Sequence, residues 1–517
     1  MVVIFHNGSQ ITEVLEGGKN PIALGAITPI ISMGLLQIAT QFPDALLVWC
    51  HSAMKAHLNI DEIPRLLHHQ RMMCSFSPLS SDYFSEAIGY VEDNPFTNIS
   101  KEVTYPTWQM SASVGCVHAS VLLAMRKAVP YSDDFNYYLN SFAKVATPCG
   151  LLCYSEPRLL TAGPYPLLKS ETSSYSKLFV FIKQHYKKRW LLLLWLNLLL
   201  YERRFVLFPV LYSLFFKKLK VDLDVLKEIK VHPSLKNAAS NSISVVIPTM
   251  GRKKYLYDVL KDLSNQTQLP QQVIIVEQNG DITADSELDY LTTKAWPFEI
   301  AHIFIHQTGA CNARNLALEK VSTDWVFFAD DDIRLPQDFF EKGFKFVDNY
   351  HPKAFTVSCL RQNEKEPLTN IVQWKTFGSG CSWVKSSALK DVHFNLAFEH
   401  GFGEDADFGM QLRKKGFDIL YNPFMRLTHL KAPTGGFRKV VQKPWETDAI
   451  VPKPSPTVMA FKLLHSNKSQ LNGYKTLLFF KFYRKQPIKN PFSYISEMNK
   501  RFASSILWAK RLLRQNE

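Results

Sequence analysis

The 517-residue sequence lacks a segment apolar enough to cross a membrane. Its two strongest apolar runs, 190–201 and 205–216, fall short of the roughly 20 residues a spanning helix needs. Glu202, Arg203 and Arg204 lie between them and would be costly at mid-membrane. The first residues lack the charged start and long apolar core of a signal peptide. Cysteine is sparse and scattered. Of eight, only Cys149 and Cys153 are close, and no second pair completes a zinc site. A reducing, cytoplasmic setting is expected. Zinc-finger spacing, an aromatic RNA-binding signature and a basic recognition helix are all missing, so nucleic acid is not an expected partner.

Several features are present. Hydrophobic residues make up 46% and charged residues 21%, the composition of a globular chain. Its length calls for two or three domains. The net charge of +14 asks for an anionic partner, either phosphate or a lipid headgroup surface.

The most informative stretch is 324–333. Residues 325–329, Trp-Val-Phe-Phe-Ala, read as a buried strand that runs directly into Asp330, Asp331 and Asp332. Three carboxylates there are either an acidic loop in water or a site where something offsets their desolvation. A divalent cation carrying a diphosphate would do so. From residue 243 onward, strands alternate with helices, which predicts βαβ units and a largely parallel sheet. Ligands in such sheets bind beyond the carboxyl ends of the strands. Thr249, Glu277 and Asp330–Asp332 all fall at that edge.

This part resembles the family 2 glycosyltransferases of GT-A fold, over about residues 242–435. The resemblance rests on Val245-Val-Ile-Pro-Thr249, Val273-Ile-Ile-Val276, Ala313-Arg-Asn315, Phe328-Ala-Asp-Asp-Asp332 and Gly403-Glu-Asp-Ala-Asp-Phe408. It departs from the family at Glu277, where an aspartate is usual, and at Ala317, where a glycine is often found. The resemblance implies an α/β fold: a Rossmann-like GT-A catalytic domain with a mostly parallel sheet over 241–450. A nucleotide-diphosphate sugar donor would be held by Pro248, Thr249, Glu277, Asn279, Arg314, Asp330 and Asp331. A divalent metal, Mn²⁺ or Mg²⁺, would be held by Asp332, Asp330 and His429. Asp405 is expected to act as the base of an inverting single displacement, with Glu404 orienting the acceptor. Asp407 serves either the helix cap or the acceptor site. Trp374 and Trp383 are candidates for an acceptor platform, or simply core. The loop 431–438, with Gly435-Gly436, is expected to close on the diphosphate.

Residues 1–170 read as a degenerate, truncated GT-A-like domain lacking metal and base residues. By sequence, 2–8 parallels 273–280, 44–52 parallels 324–332, and 134–139 parallels 407–412. This alignment puts Cys50, His51 and Ser52 in place of the three aspartates. It leaves the first strand missing, which implies either a sheet edge that something must cover or a true start of translation upstream of Met1. Such a domain would help to bind acceptor, hold its partner domain or mediate assembly. Residues 171–240 form an apolar, basic helical linker, read as buried helices or as a hairpin in the membrane interface. After a proline-rich stop at 451–456, residues 451–517 read as a basic amphipathic tail.

The function expected from these features is sugar transfer to a saccharide acceptor, lipid-linked, in surface polysaccharide assembly. The chain would sit peripherally against an anionic membrane surface on its cytosolic face. The alternatives are a non-catalytic saccharide-binding scaffold and a sugar-phosphate nucleotidyltransferase. The latter needs a Gly-rich basic loop, of which Met250-Gly-Arg-Lys-Lys254 is only a faint echo.

Overall fold

The computed structural model describes residues 1–23, 27–166, 172–235, 241–433 and 442–515. The chain divides into two compact units. The first is Met1–Lys236 with Ser466–Phe480, and the second is Asn237–His465 with Lys481–Glu517. This corrects two expected boundaries. Residues 171–236 do not form a separate linker, because helix Tyr175–His185 buries Leu178, Phe179, Phe181 and Ile182 in the core of the first unit. The tail is likewise shared between the units. The proline-rich stretch ends in Pro456, which opens a helix, Pro456–His465, instead of stopping one.

The strands of the first unit are β1 (Val2–His6), β2 (Ile11–Glu16), β3 (Asn20–Pro21), β4 (Leu46–His51), β5 (Met72–Phe76), β6 (Tyr105–Pro106), β7 (Val114–His118) and β8 (Leu152–Ser155). Among the described residues they form one sheet in the order β3-β2-β1-β4-β7-β5-β8-β6. The second unit has β9 (Ile243–Thr249), β10 (Gln272–Gln278), β11 (Glu299–Ile305), β12 (Trp325–Ala329), β13 (Ile333–Arg334), β14 (Ala354–Leu360), β15 (Val372–Gln373), β16 (Cys381–Lys385) and β17 (Ile419–His429). Their order is β11-β10-β9-β12-β16-β14-β17-β13, with β15 paired to β17.

In the second unit β11, β10, β9 and β12 are parallel, as the βαβ pattern predicts. Beyond β12 the sheet is mixed, since β16 runs antiparallel to both β12 and β14. β9, β10 and β12 are buried along their whole length, which explains their unbroken apolar runs. The helix Lys253–Ser264 covers the sheet with Leu256, Val259, Leu260 and Leu263, an i, i+3, i+4, i+7 stripe.

The sheet topology also corrects the reading of the first half. β1 pairs in parallel with β4, as β9 does with β12. The first-strand position is therefore filled by β1 itself, and 2–8 is the counterpart of 244–250, not of 273–280. The shortening lies after it, where the antiparallel hairpin β2-β3 replaces two βα steps. From there the order β1-β4-β7-β5-β8 repeats β9-β12-β16-β14-β17 with the same direction at every pairing. The register pairs Cys50 with Val114 and Ala329 with Cys381. The counterparts of Asp330, Asp331 and Asp332 are thus His51, Ser52 and Ala53, one residue later than the sequence comparison suggests.

Trp383 is fully buried, stacked on Phe355 at 5.2 Å and ringed by Phe327, Phe339, Phe340 and Phe344. It is core and not part of an acceptor platform. Gly343 makes room for it, since a Cβ there would lie 2.5 Å from the indole. Trp383→Ala is expected to lower the stability of this unit by about 3–5 kcal/mol in denaturant unfolding, and the half-buried Trp374→Ala by much less.

Candidate active site

β9, β12 and β17 bring their ends together at one edge of the second sheet. The Asp330-Asp331-Asp332 turn follows β12 and splits its carboxylates between two jobs. Asp331 is buried and points back to β9. It accepts from Thr249 Oγ1 at 2.7 Å and from Arg252 Nη1 at 2.6 Å. Burial pushes its carboxyl up to about 6, against the pull of Arg252 and Thr249. Asp331 therefore anchors the turn, and its oxygens are already engaged.

Asp330 and Asp332 face His429, which lies at the end of β17. One ligand atom from each of these three lies within 4.8 Å of the others. Asp332 Oδ2 accepts the Ala432 N–H at 2.8 Å, and Oδ1 is 3.4 Å from His429 Nε2. Burial raises the Asp332 carboxyl, but His429, the Ala432 N–H and Arg252 together outweigh it and hold it below the usual range. The same hydrogen bond to Asp332 raises the His429 imidazole, with burial opposing. Two carboxylates and one imidazole are a donor set that suits Mn²⁺ or Mg²⁺.

A tight turn, Ser379-Gly380, ties this cluster to the second acidic motif. The Gly380 carbonyl accepts the Asp330 N–H at 3.3 Å. The Ser379 N–H donates to Asp405 Oδ1 at 3.3 Å. A Cβ on Gly380 would lie 2.1 Å from Asp330 Oδ2, so only glycine fits. Glu404 and Asp405 open the helix Glu404–Lys414, where carboxylates are favoured. Its cap, Gly403, has φ +117, which suits glycine. Burial raises both carboxyls; Asp405 adds to the rise at Glu404, and Arg314 opposes the rise at both. Arg314 is buried on helix Ala310–Leu318. Its Nη2 lies 3.5 Å from Asp330 Oδ1, and its guanidinium sits 5.4 Å from the centre of the Phe394 ring.

Other expected site residues sit elsewhere. Asp407 is turned inward, accepting from His465 Nε2 at 2.6 Å and from Gln411 Nε2 at 2.7 Å. Oδ1 ties helix Glu404–Lys414 to helix Pro456–His465 and Oδ2 is held within its own helix, so both oxygens are engaged and Asp407 is not an acceptor contact. Glu277 is saturated by Ser286, the Glu287 N–H and His302. Burial raises its carboxyl, but these bonds overcome that and hold it low. Asn279 Oδ1 closes a turn on the Asp281 N–H, and Pro248 is buried within β9. Trp374 stacks on Tyr421 at 4.5 Å. Residues 434–438 of the expected closing loop lie outside the described residues.

Sequence reasoning missed Arg252, although three consecutive basic residues after the first strand were its signal. It also missed Glu399, whose carboxylate takes the Cys311 and Asn312 N–H groups at the start of the Arg314 helix. No local pattern marks that residue. Gly309 is needed beside it, because a Cβ there would lie 2.4 Å from the carboxylate.

Residues 244–400 match the family described as Glycosyl transferase family 2. Over 133 residues the chain is 27% identical to the putative teichuronic acid biosynthesis glycosyltransferase TuaG of Bacillus subtilis (strain 168), covering 25% of this chain and 52% of that protein. Over 134 residues it is 25% identical to glycosyltransferase GlyA of Streptococcus pneumoniae serotype 4, covering 25% of this chain and 18% of that protein. The chain thus spans about half the length of one relative and less than a fifth of the other. A crystal structure of S. aureus TarS 1–349 in complex with UDP-GlcNAc aligns with a TM-score of 0.38 at 16% identity, over 53% of this chain and 91% of that one.

Gly380→Ala is expected to displace Asp330. Mn²⁺ affinity, measured by calorimetry, should fall at least tenfold while the circular dichroism spectrum is unchanged.

Proposed function

From the glycosyl transferase family 2 domain that residues 244–400 form, we propose that the second unit transfers a sugar from a nucleotide-diphosphate donor to a saccharide acceptor. One observation carries this reading. The Ser379-Gly380 turn holds a cation-type cluster (Asp330, Asp332, His429) and a raised carboxylate (Asp405) on adjacent residues. Glycosyl transfer needs those two functions side by side.

Asp330, Asp332 and His429 would hold a divalent metal, Mn²⁺ or Mg²⁺, which would supply Lewis-acid charge at the diphosphate. Thr249 and Arg252 keep the aspartate turn in place through Asp331. Arg314, already desolvated, adds a fixed positive charge beside Asp330. Asp405 takes the proton of the acceptor hydroxyl as its oxygen attacks the anomeric carbon. The bond from that carbon to the diphosphate breaks on the opposite face, and the nucleoside diphosphate leaves. A single displacement of this kind inverts the anomeric centre. The Ser379 N–H fixes the Asp405 carboxylate, and its raised pKa makes it a better base than an exposed aspartate.

The acceptor is lipid-linked, in polysaccharide assembly of the kind TuaG's name indicates. Among the described residues no helix is long and apolar enough to cross a membrane. Yet the stretch around helix Leu207–Ser213 is open to solvent, with Phe205 67%, Phe208 72% and Phe215 86% exposed. Exposed Arg203, Arg204, Lys217 and Lys218 flank it. Apolar side chains ringed by cations fit the surface of an anionic bilayer. All eight cysteines are free thiols, which supports the cytosolic face.

The test is release of nucleoside diphosphate from UDP-, GDP- and dTDP-sugars with Mn²⁺ or Mg²⁺ and a saccharide acceptor. Asp332→Asn should abolish metal-dependent release. Asp405→Asn should lower kcat about 10²–10⁴-fold with donor affinity unchanged. No release and no metal-dependent nucleotide binding would overturn the reading. Because Asp405 works ionised and its pKa is raised, kcat/KM should fall on the acid side with a midpoint above the ordinary value of about 4. Phe208→Glu with Phe215→Glu should abolish co-sedimentation with phosphatidylglycerol vesicles and leave transfer to a soluble acceptor intact.

A further inference from the structure

The first unit contains a cavity of about 460 Å³ at the ends of β1, β4, β5 and β8. Its size falls within the roughly 300–1,000 Å³ typical of small-molecule sites. The framework around it repeats that of the candidate active site, down to two hydrogen bonds. The His51 N–H donates to the Ser113 carbonyl at 2.8 Å, as the Asp330 N–H does to that of Gly380. The Ala112 N–H donates to Asn136 Oδ1 at 2.9 Å, as the Ser379 N–H does to Asp405 Oδ1. By these bonds and the sheet register, His51 stands where Asp330 does, Ala53 where Asp332 does and Asn136 where Asp405 does. An amide has replaced the carboxylate that would take a proton, and a methyl has replaced a cation ligand.

The cavity is also poor in usable charge. Asp82 and Lys101, both on its wall, are paired with each other. His6 donates from Nε2 to the Ala112 carbonyl and accepts the Gly8 N–H at Nδ1. Burial and the neighbouring His51 push it down to about 4, so it is uncharged at neutral pH. Helix Ile31–Gln41, which holds the place of the Arg314 helix before β4, carries no basic residue. Nothing here suits a diphosphate or a divalent cation.

Neutral hydrogen-bonding groups remain. Among the described residues, the Ser113 and Ser155 hydroxyls make no hydrogen bond. His51 Nδ1 accepts the Ala53 N–H, which leaves Nε2–H as a spare donor. Gln109 is more than nine-tenths buried, and its Oε1 has no partner among the described residues. A buried acceptor left in that state is costly, and a ligand hydroxyl would relieve it. Phe76 and Met110 add apolar wall between these polar groups.

We propose that this cavity binds a neutral saccharide and holds it without transferring it. Alternating hydroxyls and C–H faces on a sugar match alternating neutral donors, acceptors and apolar wall. The reading does not depend on transfer by the second unit.

The test is calorimetric titration of the full chain with maltotriose, cellotriose and triacetylchitotriose. At least one should bind the wild type, and equally well Asp332→Asn and Asp405→Asn. Ser155→Trp, which fills the cavity, and Gln109→Leu, which removes the acceptor and keeps the volume, should each weaken binding at least tenfold. If Ser155→Trp misfolds by circular dichroism, Gln109→Leu decides. Binding of none of the three, binding untouched by the cavity variants, or binding lost in Asp332→Asn or Asp405→Asn would overturn the proposal.

Discussion

Desolvation of adjacent carboxylates at the end of a fully buried strand is the constraint on which the second unit depends. Asp331 and Asp332 are almost wholly removed from water, and such groups persist only with close partners. Asp331 has Thr249 and Arg252. Asp332 has His429, the Ala432 N–H and Arg252. Those partners come from the turn after β9, the end of β17 and the segment just beyond it. The acidic turn therefore fixes how three separate parts of the chain meet, and the meeting place is the site. Asp330, the most exposed of the three, is left to face outward beside Arg314.

The two units carry the same strand framework with opposite chemistry. In both, a strand end and a helix start are tied across a tight turn by the same pair of hydrogen bonds, one between backbone groups and one from a backbone N–H to a side-chain oxygen. In the second unit those bonds present carboxylates, and Arg252, Arg314 and His429 balance them. In the first unit the same positions hold His51, Ala53 and Asn136, and no guanidinium is needed. Loss of the charges and loss of their partners go together, because a buried cation without an anion is as costly as the reverse.

Much of the second unit was legible in the sequence. Strand 325–329 agrees with the structure, since a buried parallel strand leaves a local signature. The grouping of Asp330, Asp332 and His429 was also readable, though only through motifs 97 residues apart along the chain. Trp383 and Asp407 misled, because an aromatic or an acid near a motif looks the same whether it faces the site or the core. In the first half, similar apolar strings fit more than one strand, and the sequence comparison slipped by one residue at β4. A strand buried on both faces is apolar at nearly every position and gives little to fix its register.

Local chemistry written along the chain determined the strand and helix periods, the acidic turn, the glycines that allow close approach and the excess of positive charge. Those properties depend on residues a few positions apart. The tertiary structure alone decided which carboxylate is an anchor and which is free. It showed that β1 fills the first-strand position, that helix Tyr175–His185 belongs to a core, and that Asn136 answers to Asp405. Each of these turns on pairings between distant segments, where burial and hydrogen-bond partners are set by geometry that no local pattern records.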